Sequence, residues 1–162
     1  MFRLTIVCFA LFLATASATN VKECKNGEPF PLSVDVEGCE EIPCTVLKGS
    51  TVVMQVHFVG NRDNTKQISA DVYATALGIT VPYPLPTELA DVCSNLLYGA
   101  NCPIDKTEDV VYNFNFEVDT SYPEISVKVK LNLVDENSDS VACFITDIKV
   151  RKSSGTRQLE TA

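Results

Sequence analysis

The chain has 162 residues, with 13 basic and 21 acidic side chains and a formal net charge of −8 at pH 7. This acidic balance argues against nucleic acid as a partner, because phosphate backbones are bound by clustered Lys and Arg. The length suits one domain with a single hydrophobic core.

The amino terminus has the organisation of a secretory signal peptide. A short basic start, Met1–Arg3, precedes the apolar run Leu4–Leu13 and the small residues Ala14–Ala18. The apolar run is too short to cross a bilayer, which takes about 20 residues. We therefore expect residues 1–18 to be removed and the protein to be secreted.

The cysteine count predicts a disulfide framework. Cys8 leaves with the signal peptide, and the six cysteines that remain are an even number in a secreted chain. Six cysteines allow 15 pairings, and pairing near neighbours favours three bridges: Cys39–Cys44, Cys93–Cys102 and Cys24–Cys143. A zinc site is the alternative, but paired Cys-x-x-Cys motifs are missing and there is one histidine. We expect neither a metal nor another cofactor.

Alternation of apolar and polar residues at period two predicts β-strands along most of the chain. The predicted strands are, in order, Leu32–Val36, Val52–Phe58, Ile68–Ala76, Val110–Val118, Ile125–Leu133 and Val141–Val150. Ser121–Pro123 is expected to turn between the fourth and fifth and make them a hairpin. No segment has sustained helical spacing, so the sequence predicts an all-β, antiparallel sandwich of about seven strands.

The segment Ile79–Pro86 is unusual because it combines large apolar side chains with three alternating prolines. Prolines at this density exclude a central strand. An apolar loop outside the sheet could line a pocket mouth or touch a membrane. The alternative is a rigid loop folded over the core.

The sequence lacks the residues that common hydrolytic mechanisms require. The single histidine, His57, alternates with apolar Val56 and Phe58 and should face solvent. No Gly-x-Ser-x-Gly motif and no phosphate-binding glycine loop occurs. We expect no catalytic residues and no enzymatic activity.

Several short motifs carry a family resemblance when they are taken together, over about Cys24 to Val150. In order they are Cys39–Cys44 with Leu47–Gly49, Val81–Pro86, Asn101–Ile104, Ser121–Pro123 and Cys143–Phe144. With the six cysteines, this order and spacing resembles the ML-domain lipid-recognition family, and within it the branch of the Niemann-Pick type C intracellular cholesterol transporters.

The resemblance implies an immunoglobulin-like sandwich with the same three disulfides and an apolar tunnel between the sheets. It implies a sterol bound with its apolar tail inward and a tunnel gated by Tyr83, Val118 and Tyr122. Tyr83 stands where sterol carriers of the family usually have phenylalanine. The expected ligand-binding residues are Tyr83, Phe116, Val118, Tyr122, Pro123, Val127 and Leu131.

A membrane-contacting or receptor-contacting knob is also implied, at Leu77, Gly78 and Ile79. Thr80 departs from the proline that the family pattern has there. The partner in this contact could be a membrane sterol transporter or a membrane surface. A monomeric lipid-binding domain is expected over residues 19–151, followed by a disordered tail at 152–162.

The expected function is carriage of a sterol or another small apolar lipid, outside the cell or in the endosome and lysosome lumen. The alternative is recognition of microbial lipids or apolar signalling molecules in innate immunity or chemical sensing. A pocket between two sheets would serve both functions.

Overall fold

A computed structural model describes residues 18–153 of the chain. It has nine strands: β1 Lys22–Glu23, β2 Ser33–Val36, β3 Cys44–Leu47, β4 Thr51–Val59, β5 Ile68–Ala76, β6 Ile79–Tyr83, β7 Asp109–Glu117, β8 Ser126–Asp135 and β9 Ser140–Arg151. A short helix, α1 at Thr87–Ala90, and a 3-10 turn at Cys93–Asn95 lie between β6 and β7. The predicted signal peptide and tail lie almost entirely outside the described residues.

The strands form two sheets that face each other, which confirms the predicted all-β sandwich. The larger sheet has the order β1-β9-β8-β5-β6, with β3 also paired to β9, and the smaller has the order β2-β4-β7. All pairs are antiparallel except β3 with β9. The number of strands is nine rather than about seven, because β1 and β3, with two and four residues, were not recognised and the prolines of β6 predicted a segment outside the sheet.

The predicted alternation agrees with the burial observed along β7. On β7 the side chains of Val110, Tyr112 and Phe114 are buried, while Asn113 and Asn115 between them are more exposed. Branched and aromatic residues suit such a half-buried pleated surface. The core therefore fills the space between the two inner faces.

The predicted hairpin between β7 and β8 is wrong. β7 pairs with β4 in the smaller sheet, whereas β8 pairs with β5 and β9 in the larger one. Residues 118–125 cross from one sheet to the other, so the two strands face each other across the core. Alternation determines which face of a strand is buried, but it does not determine which strand lies beside it.

The Pro-rich segment joins the sheet after all, as its edge. β6 pairs with β5 over five residues and has no other neighbour among the described strands. Pro82 sits opposite Tyr73 in this pair, and an edge strand tolerates a residue without an N–H donor. The prediction that the prolines exclude a central position is confirmed, and the prediction that the segment stays out of the sheet is wrong.

The three predicted disulfides are all present. Cys39–Cys44 and Cys93–Cys102 close short loops, with sequence separations of 5 and 9. Cys24–Cys143 joins residues 119 positions apart and ties the amino-terminal segment to β9.

Candidate functional site

A cavity of about 230 Å³ lies between the two sheets. Both sheets contribute side chains to its wall, and the surface they expose to it is apolar. All seven side chains predicted from the sequence to bind a ligand line it: Tyr83, Phe116, Val118, Tyr122, Pro123, Val127 and Leu131. The structure thus brings together residues from three separate strands and from the crossing segment.

The cavity exists because small and branched side chains occupy facing positions of the two sheets. Ala74, on β5, lines the wall, while Ala70 on the same strand packs in the core. Phe114 and Phe116 stack in parallel on the opposite wall, with ring centroids 6.0 Å apart. A sandwich closes completely only where large side chains interdigitate, and here they do not.

Two tyrosine hydroxyls meet at the mouth of the cavity. The Tyr83 and Tyr122 hydroxyl oxygens are in hydrogen-bond contact, although the residues are 39 positions apart. The Tyr83 ring also packs edge-on against Phe116, with centroids 5.6 Å apart. Burial, and next the hydrogen bond with Tyr83, raise the pKa of Tyr122 to about 12. The pair therefore forms a hydrogen-bonded closure over the apolar space.

The cavity is smaller than the roughly 300–1,000 Å³ that is usual for ligand pockets. Its volume of about 230 Å³ means that wall or mouth side chains must move when a larger molecule binds. Tyr83, at the end of an edge strand, and Tyr122, in the crossing segment, are held by fewer strand neighbours than the rest of the wall. We therefore expect the side chains at the mouth to move when a ligand enters.

Sequence reasoning missed lining residues that the parallel strand β3 and its partner β9 supply. Val46 and Val150 are opposite each other in this pair and pack with Val118 at the mouth. Thr146 also lines the cavity, further along β9. The sequence predicted β9 as a strand without indicating which of its side chains face inward, and the pairing of β3 could not be read from four residues.

The residues of the predicted knob form the turn between β5 and β6. Leu77 is 97% exposed and Ile79 is 68% exposed. Leu77 and Gly78 both have positive φ, 51° and 80°, which is the geometry of a tight two-residue hairpin turn that prefers Asn-Gly. The turn lies at the mouth end of the sandwich, because neighbouring Thr75 pairs with Lys128 at the start of β8.

His57 is on the outer face of β4, as predicted, with its side chain 36% exposed. Its Nε2 contacts a carboxylate oxygen of Asp109 on β7, and neither residue lines the cavity. The one grouping of metal-ligand side chains in residues 18–153 is Cys24, Glu28 and Cys143. Cys24 and Cys143 form a disulfide with each other, so their sulfurs are not available as thiolate ligands.

The part of the chain that the structure describes contains no helix with the length and apolar character needed to cross a membrane. The protein is thus a disulfide-bonded β-sandwich that encloses an apolar cavity between its sheets.

Comparison with known proteins identifies the family within this class. The ML domain matches residues 18–150, and the chain belongs to the ML-domain family. It is 28% identical to the NPC intracellular cholesterol transporter 2 of Canis lupus familiaris, over 91% of this chain and 98% of that protein. It is also 28% identical to homolog a of this transporter in Drosophila melanogaster, over 93% of this chain and 100% of that protein.

A solved structure has the same fold. The crystal structure of a Niemann-Pick type C2 protein from the Japanese carpenter ant superposes with a TM-score of 0.71 and 20% sequence identity, covering 82% of this chain and 99% of that chain. The resemblance to the cholesterol-transporter branch of the family is confirmed by the two sequence relatives.

Proposed function

We propose that the protein is a secreted carrier that encloses a sterol, or a closely similar apolar lipid, between its sheets and transfers it. The observation that carries this proposal is the apolar cavity, closed by the Tyr83–Tyr122 contact. The canine and fly relatives are both named as NPC intracellular cholesterol transporter 2 or its homolog. These names support a sterol as the cargo.

The energetics of such a site favour a large, rigid apolar ligand. Burial of about 400 Å² of apolar ligand surface at about 25 cal/mol per Å² contributes roughly 10 kcal/mol before the costs of association. The lining surface is apolar, so burial of apolar surface in a wall of matching shape would supply most of the affinity.

We infer that the turn at Leu77, Gly78 and Ile79 contacts the membrane or the protein with which the cargo is exchanged. The two apolar side chains are exposed at the mouth end. A nonglycine residue at positive φ stores backbone strain. The turn by itself would be more stable with asparagine or glycine than with leucine at position 77. A contact with a membrane or a partner protein would explain why an exposed leucine is present in this turn.

Sterol binding by the purified protein tests the proposal. The protein should hold a fluorescent sterol one to one, and V118F should abolish binding, because Val118 is 3% exposed and lines the cavity. V53F is the matched control, since Val53 is on β4, beside β7, and outside the cavity lining. Equal binding by V118F and wild type would rule out this site, provided that circular dichroism shows both folded.

Extraction of the native secreted protein, followed by mass spectrometry of its lipids, distinguishes transport from recognition. A sterol supports the carrier. An acylated glycolipid or a volatile hydrocarbon would instead support recognition in immunity or chemical sensing.

We further propose that residues 1–18 are a signal peptide and that residues 19–151 are the lipid-binding domain, followed by a tail at 152–162. The domain acts as a monomer, without a cofactor or catalytic residues. Its location is the extracellular fluid or the endosome and lysosome lumen.

A further inference from the structure

Thr146 is a buried polar residue in the wall of the apolar cavity. Its side chain is on the inner face of β9, opposite Val129 of β8, and the residue is 5% exposed. Its hydroxyl oxygen has no hydrogen-bond partner among residues 18–153. Buried polar groups in native proteins are nearly always hydrogen-bonded, and an exception calls for an explanation.

Packing alone does not explain the hydroxyl. The inward residues on either side of Thr146 along β9 are Phe144 and Ile148, both apolar. Valine has the same branched shape and would fill the same space without burying an unpaired hydroxyl. Threonine is therefore the less stable choice for an empty cavity.

The position of Thr146 relative to the mouth is informative. Val150 packs at the mouth, and Thr146 lies four residues further in along β9, or about 13 Å at the rise of a β-strand. The tyrosine hydroxyls are at the outer end of the cavity, so an apolar wall separates them from Thr146. A long ligand could thus meet a polar group at each end.

We propose that Thr146 determines specificity by hydrogen bonding to an oxygen at the inner end of the cargo. The inference rests on the proposed carrier function and narrows its substrate class to sterols with an oxygenated side chain. One 120° step between staggered χ1 rotamers moves the threonine hydroxyl to the position that the methyl group held and moves the methyl group to the position of the Cβ hydrogen. The hydroxyl therefore reaches the ligand without any movement of the backbone.

A trapped water molecule is a weaker explanation of the hydroxyl. A buried water typically makes about three hydrogen bonds. The other side chains of the cavity lining are apolar, apart from the tyrosines at the mouth. A water beside Thr146 would lack most of its side-chain partners.

Competition binding with two sterols tests the proposal. The probes are cholesterol and 25-hydroxycholesterol, which has one additional hydroxyl, at the end of the side chain. T146V should lose about tenfold in affinity for 25-hydroxycholesterol and retain or improve its affinity for cholesterol. T45V is the matched control, because Thr45 is exposed on β3, and it should leave both affinities unchanged.

The outcomes separate the two proposals. If the wild type binds neither sterol, the carrier function itself fails. If it binds both equally and T146V leaves their affinity ratio unchanged, the role of Thr146 is overturned and the carrier stands. If T146V does not fold, T146S and T146A replace it. T146S should keep the preference for 25-hydroxycholesterol and T146A should lose it, and the same ratio in both would overturn the proposal.

Discussion

Two hydroxyls decide how the cavity is closed. Tyr83 and Tyr122 come from different parts of the chain, and their contact holds β6 against the segment that joins the two sheets. The pKa of Tyr122 is raised to about 12 from its ordinary value of 10. The protonated phenol is therefore the form that the fold stabilises, and this stabilisation is complete below pH 10 and lost as the pH rises through about 12.

Removal of one hydroxyl should loosen the mouth. Y83F should speed the association of a fluorescent sterol and lower the pKa of Tyr122, because burial still raises that pKa but the hydrogen bond no longer does. Stopped-flow fluorescence measures the first effect, and a tyrosinate absorbance titration measures the second. Y98F, at a residue 85% exposed, should change neither the association rate nor the pKa of Tyr122. An unaltered association rate in Y83F would mean that the contact is not a barrier to uptake.

Among the elements, the β5–β6 turn exposes a leucine in a backbone conformation that lowers the free energy of unfolding. Leu77 has a positive φ, which asparagine adopts more readily than leucine. L77N should raise the free energy of unfolding by up to about 1 kcal/mol. It should also slow sterol transfer to vesicles severalfold, since the exposed apolar contact is lost.

Y98N is a matched control for L77N. Tyr98 and Gly99 repeat the same pair of positive φ values, 59° and 81°, at a second exposed turn. Y98N should gain similar stability in urea unfolding without any effect on transfer. Slower transfer by both variants would show that Leu77 has no special role.

The β8–β9 turn is an element held by one buried carboxylate. Asp135 accepts hydrogen bonds from the backbone N–H groups of Asn137 at 2.8 Å and Asp139 at 3.0 Å, and it pairs with Arg62 at 3.0 Å. D135A should lower the free energy of unfolding by about 2 to 3 kcal/mol, because these donors lose their acceptor. Urea denaturation should show the loss, while D71A, at an exposed position of β5, should stay within about 0.5 kcal/mol of wild type.

At the scale of the whole molecule, the three disulfides should differ in what they contribute. Cys24–Cys143 closes a loop with a sequence separation of 119, whereas Cys93–Cys102 has a separation of 9. In the chain-entropy model, removing the first should cost about 5 kcal/mol and removing the second about 2.5 kcal/mol. Unfolding of the C24A/C143A and C93A/C102A double variants in urea measures both. Equal losses would show that loop length does not govern the effect in this fold.

Six of the nine strands, the disulfide pairing and seven residues that line one cavity could be predicted from the sequence. These follow from local alternation, cysteine spacing and family motifs, which are properties of short segments. Three features emerged from the folded structure alone: β7 and β8 lie in opposite sheets, β6 is an edge strand, and Val46 and Thr146 complete the wall. The reason is physical: partner choice between strands depends on contacts between residues distant in sequence, and a period-two pattern is the same whichever strand lies alongside.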